Sequence, residues 1–61
     1  MTEITVKKIG DNWEVINGHM RFKTLLSIGN NFNVIDVESG EIKLVQIDKG
    51  EARIANNVII L

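Results

Sequence analysis

The sequence contains no cysteine, no proline and no tyrosine, and neither sign of charge dominates it. Without cysteine, neither a disulfide nor a thiolate zinc site can stabilise the fold. Lys and Arg number 7 and Asp and Glu number 8, giving a formal net charge of −1. Proteins that coat nucleic acid without specificity are usually basic, so this balance argues against that class. No apolar run approaches the roughly 18 residues that a membrane span needs.

The N-terminal residues Met1, Thr2, Glu3 and Ile4 have neither the charged nor the apolar region of a secretory signal. We therefore expect a cytoplasmic protein that does not enter a membrane. A chain of 61 residues forms a single small domain, 1–61, whose core is limited. The last four residues are all apolar and need cover, which favours association with a second chain.

The first half of the chain predicts a β-hairpin followed by a helix. Residues 3–9 alternate apolar and polar side chains, and residues 13–16 resume with β-forming types after a turn at 10–12. From 20 to 28 the apolar residues follow helical spacing instead. Asn17 is a suitable N-cap and Gly29 a suitable left-handed end, so we expect a helix of about ten residues.

The second half predicts strands. Residues 32–37 and 42–47 have β composition, and 48–50 suggests a bulged hairpin with a type I turn followed by a left-handed glycine. Residues 51–61 favour a strand, with a C-terminal helix as the alternative. The predicted fold class is therefore α+β, with a β-hairpin, one short helix and a β-meander in the order ββαβββ. We expect a homodimer, because so small an open sheet has unprotected edges.

The junction between the hairpin and the helix is the main candidate site. A glycine between a strand and a helix presents unpaired backbone N–H groups, which together with the helix dipole favour an anion. Gly18 would let a ligand approach the backbone. Arg21 would add a bidentate guanidinium, and His19 a further hydrogen bond. The ligand-binding set is thus Asn17, Gly18, His19 and Arg21.

A purely structural interpretation of the same residues stays open. Gly18 would then permit the turn, and Arg21 would pair with Glu14 or Glu38 on the surface. His19 would cap the helix or lie in solvent. The spacing of the residues does not decide between the two interpretations.

This segment resembles the central motif of ParB-like proteins, in the superfamily that includes sulfiredoxin. The resemblance covers roughly residues 3–37. Members read apolar, apolar, Asp or Asn, Gly, His, His, Arg, then a short helix ending in Leu-Gly and a strand. The matching positions here are Ile16, Asn17, Gly18, His19 and Arg21.

The resemblance implies that Gly18, His19 and Arg21 contact the phosphates of a nucleotide, a nucleoside triphosphate in the partition proteins. Those proteins carry glutamate at the position of His19 and arginine at that of Met20. Sulfiredoxin has its catalytic cysteine at the position of His19, and the absence of cysteine excludes that chemistry here. The chain resembles a truncated core of the family.

Two further groups of residues carry charges that could bind a ligand. Lys7, Lys8 and Lys23 would form a basic patch beside Arg21 and support a nucleic-acid partner. Asp36 and Glu38, at i and i+2 on a strand face, are a pair from which a metal or acid–base site could be built. No metal site and no catalytic residue is predicted.

The first functional hypothesis is a non-catalytic ParB-like module that binds a nucleotide or a nucleic-acid phosphate. The second is a small regulator, of the kind that a phage or plasmid encodes, which acts by binding a host protein. The third, a residual enzyme such as a nuclease or kinase, follows from family analogy alone.

Overall fold

A computed structural model describes residues 3–61. Met1 and Thr2, the first two residues of the N-terminal segment interpreted above, lie outside the described residues. Within that range the chain forms one helix, α1 (His19–Ile28). Its strands are β1 (Thr5–Ile9), β2 (Asn12–Asn17), β3 (Phe32–Asp36), β4 (Ile42–Asp48), β5 (Glu51–Ile54) and β6 (Asn57–Ile60).

The six strands close into a barrel in the order β1-β2-β6-β5-β4-β3. Strands β1 and β3 pair in parallel, as do β2 and β6, and the other neighbours are antiparallel. The predicted α+β class with the order ββαβββ is therefore wrong. The protein is mostly sheet, with one short helix between β2 and β3.

The C-terminal segment accounts for the extra strand. Residues 51–61 form the hairpin β5–β6, rather than one strand or the alternative helix. Its loop is Ala55 and Asn56, and Ala55 has a φ of 56°. Asn56 does not share this positive φ, so the loop is not of type I′, in which both residues have positive φ. Because Ala52, Ile54 and Ile59 all face the core from this hairpin, burial decides against the helical spacing.

The preceding turn also differs from its prediction. Asp48 pairs directly with Glu51, so the loop between β4 and β5 contains only Lys49 and Gly50. Both have positive φ, 53° and 80°. This is the type I′ pattern, whose twist matches that of the flanking strands, and not the bulged loop expected from the sequence.

The predicted hairpin and helix of the first half are both present. Strands β1 and β2 pair antiparallel, and α1 contains 10 residues and ends at Gly29 in the left-handed conformation. The N–H of Gly29 donates to the carbonyl oxygen of Leu25 at 3.1 Å. Trp13 and Phe22 are both buried. The ring of Phe22 meets that of Phe32 edge to face at 5.7 Å.

The core fills the barrel interior and the space below α1. Leu25 and Leu26 of the helix pack against it from the side. The buried apolar residues are Ile4, Val6, Trp13, Val15, Phe22, Val34, Val45, Ala52, Ile54 and Ile59.

Closure of the barrel removes one reason to expect a homodimer. Each strand of residues 3–61 has a neighbour on both sides, so the unprotected edges assumed from the sequence do not exist. The homodimer stays a prediction that now depends on exposed apolar side chains. Within the same residues, no helix has the length and apolar character to cross a membrane.

Candidate functional site

Gly18 occupies the N-cap position of α1, which the sequence predicts for Asn17. Gly18 has φ 85° and ψ 32°, and no side chain in the described chain caps the helix. Its carbonyl oxygen accepts a hydrogen bond from the N–H of Phe22 at 2.9 Å. Asn17 is instead the last residue of β2. The junction thus has the strand-to-helix geometry that the sequence predicts, with the cap moved by one residue.

The space beside Gly18 is filled by the chain itself. A Cβ at this position would lie 2.8 Å from the carbonyl oxygen of Glu3 and 3.1 Å from the Cα of Ile4. Only glycine combines this positive φ with so close a backbone. The chain segment before β1 therefore occupies the side from which the sequence suggested that a ligand would approach.

An open groove of about 750 Å³ lies next to this junction. Arg21 and Leu25 border it on the helix side, and the remaining wall comes from the N-terminal segment and from strands β1 to β4. The lining residues are Glu3, Ile4, Thr5, Asn17, Arg21, Leu25, Phe32, Asn33, Val34, Ile35 and Ile42.

Four of the lining residues form a continuous row across four strands. Asn17 pairs with Thr5, Thr5 with Ile35, and Ile35 with Ile42. The register of β1 and β2 shifts between Thr5 and Val6, which leaves Ile16 as the extra residue of a bulge. A bulge re-aims the side chains that follow it, and here it pairs Asn17 with Thr5 at the end of the row.

The groove carries one charge of each sign. Among the described residues that line it, Arg21 is the only basic and Glu3 the only acidic one. Arg21 is exposed and forms no salt bridge within residues 3–61, so the pairing with Glu14 or Glu38 considered above is not observed. A guanidinium without an acidic partner retains its full capacity to bind an anion.

The structure separates the other predicted ligand residues from the groove wall. Gly18 and His19 do not line it, although both lie between Asn17 and Arg21 in the chain. His19 is the first residue of α1 and is exposed. Of the predicted set, the groove brings together Asn17 and Arg21.

The predicted basic patch does not contribute to the groove either. Lys7, Lys8 and Lys23 are exposed but none lines it. Lys8 places its Nζ 5.1 Å from the centre of the Trp13 ring, a cation–π contact on β1 and β2.

Asp36 has a structural role in the turn that follows β3. Its carboxylate accepts a hydrogen bond from the N–H of Glu38 at 2.9 Å, which lowers the pKa of Asp36 despite the opposing effect of burial. Glu38 lies in the turn, so the two residues do not share a strand face. No group of three or more metal-ligating side chains occurs in the part of the chain that the structure describes.

Sequence reasoning missed the apolar half of the groove. Asn33 and Ile35 lie two residues apart in a predicted strand, so the sequence predicts that they share a face. Ile42 begins the next predicted strand. The position of these residues beside Thr5 could not be predicted, because it depends on the parallel pairing of β1 with β3.

Comparison with models of protein families, with curated proteins and with solved structures finds no match to this chain.

Proposed function

We propose that this protein is a small, non-catalytic, ParB-like binding module that holds a phosphate of a nucleotide or a nucleic acid in the groove beside α1. The observation that carries the proposal is Arg21, an exposed guanidinium without an acidic partner in the described chain, on the wall of a groove of about 750 Å³. That volume falls within the range of ligand pockets, roughly 300–1,000 Å³.

Arg21 is the main anion contact in this proposal. Its planar guanidinium offers paired N–H donors that match phosphate oxygens. Asn17 lies on the same groove and contributes an amide donor. The start of α1 adds a weaker positive field near Arg21, since residue 21 lies in the first turn. Gly18 allows the chain to turn from β2 into α1. His19, the remaining residue of the predicted ligand-binding set, lies at the start of the helix.

The test is a titration of the labelled protein with nucleoside triphosphates and short single-stranded DNA, followed by NMR and calorimetry. We expect shifts at Asn17 and Arg21 and at Thr5 across the row. Arg21→Gln should weaken binding about tenfold or more, as expected for a charge-assisted bidentate contact.

Two variants serve as controls. Lys49→Gln removes one positive charge from the exposed β4–β5 turn, away from the groove, and should leave affinity unchanged. Arg21→Lys keeps the charge and removes the planar fork, so it should give an intermediate affinity. Equal affinities for the wild type and Arg21→Gln, or no binding of either ligand, would refute the proposal.

A second candidate function is the binding of a host protein by a small regulator. It is favoured by large apolar side chains on the surface, with Met20 77% and Ile42 71% exposed and Leu44 about half exposed. Ile42 and Leu44 share the outer face of β4. Exposed apolar groups in a chain this small are typical of interaction surfaces.

This second function is tested with the double variant Ile42→Ser and Leu44→Ser. A partner captured by the wild type from a host lysate should bind the purified wild-type protein directly and lose most of its affinity for the variant. The same variant tests the predicted homodimer by sedimentation. Unchanged partner binding would exclude this surface.

A further inference from the structure

We infer that the groove accepts a single nucleotide unit, with one phosphate group and one base, and that it disfavours polyphosphates. The inference rests on the proposed function and specifies the ligand class of the same groove. The described wall of the groove combines one positive charge, one negative charge and an apolar row. Together these features limit the number of phosphates that a ligand can carry and favour a ligand with apolar surface.

The charge on the groove wall matches one phosphate. Arg21 is the only basic side chain among the described lining residues, and its guanidinium can pair with one phosphate group through a bidentate contact. Glu3 is also on the wall, and its carboxylate repels a second or third phosphate. None of the lysines of the predicted basic patch lines the groove, so none offsets this repulsion there.

The apolar lining matches the flat body of a base. Ile35 and Ile42 lie side by side in the strand row, and Ile42 is 71% exposed. Leu25 and the half-buried ring of Phe32 also line the groove. Covering Ile42 removes apolar area from water, a gain that a phosphate alone cannot provide.

Polar side chains lie within the same wall. Asn17 and Thr5 are adjacent in the row, and Asn33 follows on β3. Their amide and hydroxyl groups both donate and accept hydrogen bonds, which suits sugar hydroxyls and the edge of a base. The ligand therefore presents its phosphate to Arg21 and its base to the isoleucines.

A single nucleotide unit has two sources, a free nucleoside monophosphate and one residue of a single-stranded nucleic acid. In both sources, each nucleotide unit has one phosphate and one base attached to one sugar. The two are distinguished by comparing the four nucleoside monophosphates with short single-stranded oligonucleotides in the same calorimetric experiment.

The decisive experiment compares each monophosphate with its triphosphate, without divalent cations, on the wild type, Glu3→Gln and Ile42→Ser. We expect the wild type to bind the triphosphate no more tightly than the monophosphate. Glu3→Gln should raise triphosphate affinity about fivefold and monophosphate affinity less, because the repelled charge is larger. Ile42→Ser should weaken the monophosphate about fivefold, without weakening inorganic phosphate.

The outcomes separate this inference from the proposed function. Tighter triphosphate binding that still depends on Arg21, with no response to Glu3→Gln, would overturn the inference and leave the proposed function standing. Monophosphate binding unaffected by Ile42→Ser would overturn the assignment of the base. No nucleotide binding, or binding independent of Arg21, would refute both. Lys49→Gln is the charge-matched control, and the NMR spectrum of each variant verifies its fold.

Discussion

The carbonyl oxygen of Glu3 lies 2.8 Å from the point where a Cβ on residue 18 would be placed. The segment before β1 therefore crosses the strand-to-helix junction in close contact with Gly18. The same crossing places Glu3, Ile4 and Thr5 on the groove wall with Asn17 and Arg21. The glycine that suggested a phosphate cradle shapes the groove by allowing this crossing.

Gly18→Ala should destabilise the protein by about 3 kcal/mol or more, from left-handed strain together with a backbone clash. Gly29→Ala is the matched control, since Gly29 has φ 86° and no heavy atom within 4 Å of its added Cβ. It should cost only about 1–2 kcal/mol from the strain. Urea unfolding measures both, and equal losses would contradict the packing role of Gly18.

Ala55→Gly should stabilise the protein by roughly 0.5–1 kcal/mol. Ala55 opens the β5–β6 turn with a φ of 56°, a conformation that costs little for glycine. In a domain of this size the gain corresponds to about 2–8 °C in Tm. Thermal unfolding followed by circular dichroism measures it. An unchanged or lower Tm would show that the turn does not strain Ala55.

Asp36→Asn should reduce stability near neutral pH and have a smaller effect in acid. The N–H of Glu38 lowers the pKa of Asp36 in the folded state, against about 3.9 for a free aspartate. The stability contributed by its ionised form is therefore complete above that ordinary value. It is lost as the pH falls through the lower folded pKa.

Asparagine keeps one oxygen that can accept the same hydrogen bond, so this variant removes the charge and replaces the second carboxylate oxygen with an amide NH2 group. Urea unfolding between pH 7 and pH 2 should show the two proteins converging in acid. Asp11→Asn, which removes an exposed carboxylate from the β1–β2 turn, is the control. A stability difference between the wild type and Asp36→Asn that stays constant with pH would contradict this role.

Trp13→Phe should destabilise the protein by less than about 1.5 kcal/mol, although it removes part of a buried ring. Trp13 is only 6% exposed, and its Nε1 has no hydrogen-bond partner within the described chain. Removing this unpaired donor offsets some of the lost packing. Phenylalanine also keeps a ring for the contact with Lys8.

Phe22→Leu provides the comparison, because Phe22 is also buried and its side chain carries no polar atom. Equilibrium unfolding should show that Trp13→Phe costs no more than Phe22→Leu. A markedly larger loss would mean that Nε1 is hydrogen-bonded in solution, for example to a buried water.

Local patterns predicted much of the first half of the chain. The alternation in residues 3–9 and the helical spacing of Phe22 and Leu25 gave the hairpin and α1, since each depends on neighbouring residues. The tail is ambiguous because Ala52, Ala55 and Val58 have helical spacing, whereas residues 58–60 are β-branched. The positive φ of Ala55 could not be predicted from the sequence, because alanine rarely adopts that conformation.

The sequence by itself determined the strand-to-helix junction at Gly18 and the position of Arg21 in the first turn of the helix. Only the tertiary structure decided that the strands close into a barrel and that β1 lies parallel to β3. That pairing joins residues thirty positions apart, Thr5 and Ile35. Nothing in local periodicity specifies such a contact, because it arises when the distant strands bury their inner faces together.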